Sequence, residues 1–396
     1  MAGQPLSGTT HGGEGGIVSR MWATWWTLPG PSAFIDEILA TLRAGRNLIV
    51  AMPEHAPPDF GEAVGRRVHL DEIWRWRRLS PSDTEQGRGG PYRFLFDQLA
   101  LAPPSLPGRW AEQLAEATEM RDRILWIEGV SGAKWVEWKQ CLSGYAMACQ
   151  SRPQFGRGLL CCVVTGIPPE HLPTSDVALT VHRWVGRLDE LDMQIWIAHL
   201  LRNAELPALE RRARRVLAAT LAGFDPTLAL RLAPLDLDEL TNPVAVLEEI
   251  AAERGWTQSD LNRPTWERGM TNFVGGQRET HLALQALAQG DAWRYIDGRV
   301  WQGQVTVVFP LLEQKRNQLL SAHKRLLWVP FEKGDGTYVT AVEDLEIAHL
   351  HHQLRNHPDR RIEPLLRRLK DTRNALAHLD TLSGFDLAEL LRVLSG

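Results

Sequence analysis

Lysine is absent from the first third of the chain; the first one is Lys134. A phosphate loop of the form GxxxxGK followed by Ser or Thr is therefore excluded anywhere before that point. Cysteine is also scarce, with 4 in 396 residues. Four thiols in a chain of this length make no disulfide framework, and none has zinc-ligand spacing. Cys161 and Cys162 lie inside the apolar run Leu159 to Val164, and Cys141 and Cys149 fall in a helical pattern, so reduced core thiols of a cytoplasmic protein are expected. No apolar run approaches the ~20 residues of a membrane span. The opening MAGQPLSGTTHGGEGG lacks the apolar core of a signal peptide and is rich in glycine, which predicts a disordered leader over residues 1–20. Net charge is only −4, so no global basic field announces nucleic acid. Serine nucleophile elbows, a dinucleotide-binding glycine fingerprint and an HExxH helix are missing too.

What is present is an ordinary globular composition, 44% hydrophobic and 23% charged, in a length that predicts about two or three domains. The N-terminal half has an α/β rhythm. Ser32 to Ala44 places Phe34, Ile35, Ile38, Leu39 and Leu42 at helical spacing, and Gly45 ends the helix. Asn47-Leu48-Ile49-Val50-Ala51-Met52 then reads as a buried strand that breaks at Pro53. Two further apolar strands are expected at Arg123 to Glu128 and Leu159 to Gly166, with a helix around Trp135, Trp138 and Tyr145 between them. This order resembles the entry to P-loop ATPase domains, including AAA+ and STAND modules, over residues 21–172.

The residues that would do the chemistry of that family are not there. Pro53-Glu54-His55-Ala56-Pro57-Pro58-Asp59-Phe60 follows the first strand, with no glycine nest, lysine or magnesium-binding hydroxyl. Glu54 and Asp59 put negative charge where phosphates would sit. The resemblance is thus to a degenerate P-loop domain, similar to the inactivated STAND-type modules of bacterial conflict systems, and it implies neither ATPase activity nor a cofactor. Glu128 stands at the Walker B place, either as a relic of a magnesium-binding carboxylate or as an ordinary strand-end residue.

Residues 173–285 predict a mostly helical lid or linker region. It opens on a strand, Val177 to Val181, and continues with helices at Asp192 to Arg202, Pro207 to Ala222 and Asn242 to Arg254. Arg263 to Gln277, with Pro264, Trp266, Gly269, Gly275 and Gly276, reads as a loop-rich linker.

The last part, residues 286–396, predicts four helices. Val300 to Leu327 is one long amphipathic helix kinked near Pro310, followed by Val342 to Arg355, Ile362 to Leu379 and Asp386 to Leu394. At the end of the third comes Arg373-Asn374-Ala375-Leu376-Ala377-His378. Arginine can hold a phosphate bidentately, and an imidazole can move a proton near neutral pH. The run and its helix order resemble the R-x4-6-H signature of HEPN domains, all-α four-helix bundles that include metal-independent ribonucleases. That resemblance implies Arg373, Asn374 and His378 as catalytic residues, RNA as substrate, no metal, and a homodimer through the bundle. Five residues on an ideal helix turn through about 500°, leaving Arg373 and His378 about 140° apart, so one chain alone makes a poor site. Glu346 and His349, one turn apart on the second helix, are supporting candidates, with Glu346 placed to pair with Arg373 or His378. A structural helix end, with Leu376 and Leu379 in the core and the arginine and histidine answering the last carbonyls, explains the same six residues.

Three other patterns carry two readings each. Between Leu350 and Arg373 seven basic residues face three acidic ones, and Arg367, Arg368 and Lys370 are the RNA-binding candidates; a solvated helix face accounts for the same run. Trp74-Arg75-Trp76-Arg77-Arg78 suits either a stacking and phosphate surface or an edge strand with buried indoles. His349, His351 and His352 include a helical pair spaced for metal, but no cysteine completes a site. The reading that unites these features is a bacterial conflict or antiviral defence component, with an inactive sensor or docking module ahead of an RNA endonuclease. A protein partner from the same system is expected, and no membrane. The alternatives are a non-catalytic adaptor using both folds as interaction surfaces, or nucleotide binding without hydrolysis.

Overall fold

The structure, a computed structural model, describes residues 21–70, 74–81, 89–106, 108–151, 156–288, 292–334 and 336–395. The expected leader over residues 1–20 lies outside them. Contacts divide the chain into two compact units, one of residues up to Asp192 plus Pro264–Thr280, the other of Met193–Arg263 plus His281–Gly396. The middle stretch, expected to form a region of its own, is shared between these two.

The first unit is built on a five-stranded parallel sheet of β1 (Asn47–Met52), β2 (Arg75–Leu79), β3 (Arg123–Val130), β4 (Leu159–Thr165) and β5 (Leu179–Arg183), in the order β2-β3-β4-β1-β5. All six residues of β1 are buried, as a parallel strand covered on both faces requires. Asn47 is the polar exception, and both ends of its amide are used. Oδ1 accepts the Leu160 N–H at 2.9 Å and Nδ2 donates to the Ala178 carbonyl at 3.2 Å, which pins β1 between its neighbours. β5 starts two residues later than the hydrophobic pattern predicts, because Asp176 Oδ1 accepts the N–H groups of Ala178 and Leu179 in a local turn, leaving Val177 exposed. The helices of this unit are α1 (Pro29–Arg43), α2 (Phe60–His69), α3 (Gly90–Gln98), α4 (Trp110–Glu116) and α5 (Trp135–Gln150). Trp22, Trp25 and Trp26 are buried, and the Trp26 indole donates to the Pro58 carbonyl at 2.7 Å, so this end of the described chain docks on the core.

All four cysteines are buried free thiols on α5 and β4, where burial pushes Cys141, Cys161 and Cys162 up out of the range in which a thiolate forms near neutral pH.

Residues 264–280 correct the linker expectation. They form a hairpin of β6 (Thr271–Val274) and β7 (Gln277–Thr280) that returns to the sheet. The Glu54 N–H donates to the Glu267 carbonyl at 2.7 Å, Trp266 donates its indole N–H to the Trp184 carbonyl at 2.9 Å, and the Gly186 N–H donates to Asn272 Oδ1 at 3.0 Å. Gly269 approaches so closely that a Cβ there would lie 2.8 Å from the Glu54 carbonyl oxygen. The backbone just after β1 is therefore covered by protein.

The second unit is helical: α6 (Glu190–Leu200, spanning the boundary), α7 (Ala208–Ala222), α8 (Pro226–Leu232), α9 (Leu237–Thr241), α10 (Val244–Glu253), α11 (Leu282–Gln285), α12 (Ala292–His323), α13 (Ile347–Leu354), α14 (Ile362–Ala377) and α15 (Gly384–Ser395). α12 runs unbroken through Pro310 for 32 residues. It packs along α7, and Gly303 permits a close approach, since a Cβ there would meet Leu217 Cδ2 at 2.9 Å. The second predicted helix is shorter than expected, because Val342–Asp344 forms a separate 3-10 turn. A two-stranded hairpin, β8 (Phe331–Glu332) with β9 (Tyr338–Val339), joins α12 to this region. No described helix is long and apolar enough to cross a membrane.

Beneath α8 lies a buried polar cluster that no sequence pattern announced. Asp225 caps α8 through the Thr227 N–H at 2.8 Å and accepts from His281 Nε2 at 2.9 Å and from Arg254. His281 Nδ1 accepts the Ala283 N–H at 3.1 Å, so its single proton sits on Nε2 and points at Asp225.

Candidate functional site

α14 carries the Arg373 to His378 run, and its ends explain where each member points. Its buried face is Leu366, Leu369, Thr372 and Leu376, which puts Arg373 and Asn374 on the solvent side. The helix stops in a Schellman arrangement: the Asp380 N–H reaches the Ala375 carbonyl at 2.9 Å and the Leu379 N–H reaches Leu376 at 3.3 Å. Trp301 Nε1 adds a bond to the Leu376 carbonyl at 2.7 Å. The last carbonyls are thus answered by backbone N–H groups and an indole. Leu379 occupies the left-handed position with φ 66°, a place that favours glycine, and its side chain is 69% exposed. Leu376 is in the core as expected, whereas Leu379 is not.

Arg373, Asn374 and Lys370 form one wall of an open cavity of about 650 Å³. Phe309, Pro310 and Leu312 of α12 line another side, and the segment Glu343 to Ala348 a third. Arg316 holds that segment in place. Its guanidinium donates to the carbonyls of Glu343 and Leu345 at 2.8 and 2.9 Å and to Glu313 through Nε at 2.8 Å. The bond to Arg316 keeps the Glu313 carboxyl below its usual range. Arg316 is therefore committed to structure, and the other cations facing the space are Arg373 and Lys370, whose Nζ lies 3.8 Å from Asp371 Oδ1.

Glu346, expected inside the second helix, caps it instead and meets Arg373, one of the two partners expected for it. Its Oε2 lies 3.3 Å from Arg373 Nη2, with both side chains about half exposed. Glu346 and His349 form a capping box at the start of α13, with the Glu346 N–H donating to His349 Nδ1 at 3.0 Å. Burial, aided by the nearby Lys333 and opposed by Glu346, pushes the His349 imidazole below its ordinary value. A neutral His349 keeps Nδ1 as an acceptor and so preserves the cap. An exposed pair such as Arg373 and Glu346 is worth only about 0.2–1 kcal/mol, little enough for an incoming phosphate to displace.

His378 does not line this cavity. It is exposed at the C-cap of α14, beyond Asn374. The structure thus brings Arg373, Asn374, Lys370 and Glu346 together and leaves His378 apart, as helical geometry predicts for five residues of separation. The other RNA-binding candidates are neutralised locally. Arg367 donates to Glu363 at 2.6 Å and Arg368 to Glu389 at 3.0 Å, and both carboxyls are held below their usual range by these bonds. Arg361 likewise binds Asp359 and lowers it to about 2. Among the described residues no group of three metal-ligating side chains is positioned to hold an ion.

Glu128 of β3, which the sequence resemblance set at a Walker B position, is fully employed. Its carboxylate accepts the Trp126 indole N–H at 2.7 Å and Arg78 Nη2 at 2.6 Å, and Gly61 of α2 packs so close that a Cβ would fall 1.9 Å from Glu128 Oε1. The alternating tryptophans and arginines form edge strand β2. Trp76 packs on Trp126 with centroids 4.9 Å apart, and Arg77 bonds Gln98 on α3. Arg78 shares the indole face through Glu128, so guanidiniums do not all lie opposite the rings.

No protein-family model matches the chain, and no curated protein does. A solved structure titled Rhizobiales Trip13 is similar to it at 14% identity and a TM-score of 0.26, over 55% of this chain and 87% of that one. At that distance the likeness carries no argument about fold or activity.

Proposed function

We propose that the helical unit carries a HEPN-type RNA site and that the sheet unit is a degenerate P-loop-like module that docks or senses a partner, together forming a bacterial conflict or antiviral defence component. The observation that carries this reading is the open cavity with Arg373, Asn374 and Lys370 on one wall and an exposed His378 at the end of the same helix. Arg373 would grip the scissile phosphate and Asn374 would orient it. A second copy of the chain is required, because His378 lies off the cavity of its own copy. One imidazole takes the proton of the ribose 2′-OH as that oxygen attacks phosphorus. The bond from phosphorus to the 5′-oxygen breaks, and the second imidazole protonates the leaving oxygen. The products are a 2′,3′-cyclic phosphate and a 5′-hydroxyl, and this scheme invokes no metal. For the sheet unit, Glu54 and the returning hairpin cover the backbone after β1, and Glu128 is engaged by Trp126 and Arg78, which supports a docking role over ATP turnover.

The test is expression and cleavage. Expression should be toxic, His378→Ala and Arg373→Ala should relieve toxicity without altering thermal unfolding, and purified chain should cleave single-stranded RNA in EDTA to cyclic-phosphate ends. Harmless expression and intact RNA would reject the nuclease. The second reading, a non-catalytic adaptor, is favoured by the Arg373 pair with Glu346 and by the acid-paired Arg367 and Arg368. Under it, all these variants behave like the parent.

A further inference from the structure

A continuous strip of rings leads from the β8–β9 hairpin to the cavity. Trp328 lies 6.2 Å from Phe331, and Phe331 lies 5.1 Å from His349 and 5.5 Å from His352, centroid to centroid. His349 then joins Glu346 through the capping box, and Glu346 pairs with Arg373. The outer end of the strip is open, since Trp328 is 49% exposed.

Two further features separate this strip from a chance exposure of apolar surface. The first is rigidity. Gln353 of α13 takes both backbone groups of Trp328, accepting its N–H at 3.0 Å and donating to its carbonyl at 3.1 Å, as a neighbouring strand would. An exposed ring whose backbone is clamped loses little entropy when a ligand settles on it. The second is charge. Arg325 and Lys333 are exposed on either side of Trp328 in sequence, and Lys333 is close enough to His349 to shift its titration.

We propose that Trp328, Phe331 and His352 form a stacking platform for the bases of single-stranded RNA, with Arg325 and Lys333 meeting its phosphates, and that it feeds the strand toward the Arg373 cavity. The platform rests on the RNA reading of that cavity. Every base has a π-face, so such a surface grips single strands without selecting sequence, and the cations add a salt-dependent component. Duplex RNA buries its bases and would be bound poorly. The hydrogen-bonded hold on the Trp328 backbone leaves its indole free to be the outermost ring that an incoming base meets.

The experiment uses the full chain in a His378→Ala background, so that RNA survives, and a fluorescein-labelled unstructured oligouridylate read by anisotropy. Trp328→Ala should weaken binding about 5- to 150-fold, the range set by one lost stacking contact, while Trp328→Phe should keep most of the affinity. Photo-crosslinking of 4-thiouridine RNA to the Trp328-containing parent should mark the peptide spanning residues 324–334, which decides the matter even if Trp328→Ala is unstable. Arg373→Ala is run in parallel. Loss with Arg373→Ala but none with Trp328→Ala or Phe331→Ala, and no crosslink in the hairpin, overturns the platform and leaves the cavity reading standing. Loss with Trp328→Ala alone keeps the platform and removes the cavity. An absence of RNA binding in every form overturns both and leaves the strip to a protein partner.

Discussion

Removing the Asp225 carboxylate should cost more stability than almost any other single change in the helical unit. Its side chain is 6% exposed and that of Arg254 is 7% exposed. Asp225→Ala strips the guanidinium of its counter-charge and leaves it beside Thr227 Oγ1, 2.7 Å from Arg254 Nη2, the His281 ring, 3.3 Å from Nη1, and the ring of Trp256, none of which carries a negative charge. Breaking a buried pair by removing one partner costs about 3–5 kcal/mol. The α8 cap made by the same carboxylate is worth about 1 kcal/mol, and because the atoms are shared the two losses overlap rather than add. A total of about 4 kcal/mol is expected, against about 5–15 kcal/mol for a typical domain. The double variant Asp225→Leu with Arg254→Met removes both charges and should recover a substantial part of the loss. Hydrogen exchange across 224–233 and 281–286 is the suitable assay, since a chain of two units need not unfold in one step. A loss below about 1 kcal/mol, the worth of a plain hydrogen bond, would refute the reasoning. So would a double variant no better than the single one.

The same cluster sets a pH dependence. Burial holds His281 below its ordinary value of 6.5, so the native form is neutral while the unfolded form protonates. Stability should be complete above about pH 6.5 and fall as pH drops below it. Asp225, which burial alone would push up, is held well below its ordinary 3.8 by Arg254, His281 and Thr227, adding a second loss as pH falls below that value. A melting temperature that rose between pH 7 and pH 5 would contradict this, and His281→Gln should flatten the upper part of the profile. In the sheet unit, Gly61→Ala drives a methyl into Glu128 and Trp126, 1.9 and 2.4 Å away, and should destabilise by about 1–3 kcal/mol in thermal unfolding. Leu379→Gly relieves the left-handed backbone after His378 and should raise stability by about 1 kcal/mol; a lower melting temperature would show that Leu379 is held by contacts instead.

Much of this was readable because it is local. The run Asn47 to Met52 is β1 to the residue, since an unbroken apolar hexamer ended by Pro53 suits a strand buried on both faces. α12, α14 and α15 follow from 3.6-residue periodicity, whereas the sequence left Glu346 to pair with either Arg373 or His378 and the fold brings it to Arg373. The glycines and proline of residues 263–277 read as a loop-rich linker, and contacts with Glu54, Trp184 and Gly186 make the segment a hairpin instead. Leu379 was misplaced because helical spacing was carried two residues past the helix end at Ala377, where the backbone turns left-handed.

The sequence by itself determined β1 and the long helices, the missing phosphate loop, and the divergence of Arg373 from His378, because each depends on residues within a few turns of one another. Tertiary structure alone decided which charges are spent. Arg368 and Glu128 are bound to partners 21 and 50 residues away, Arg316 to carbonyls 27 and 29 residues away, and Asp225, Arg254 and His281 meet across 27 to 56 residues. A charge stays available to a ligand only where folding leaves it without a partner or with an exposed, weakly held one such as Glu346 beside Arg373, and that depends on the positions of every neighbouring element.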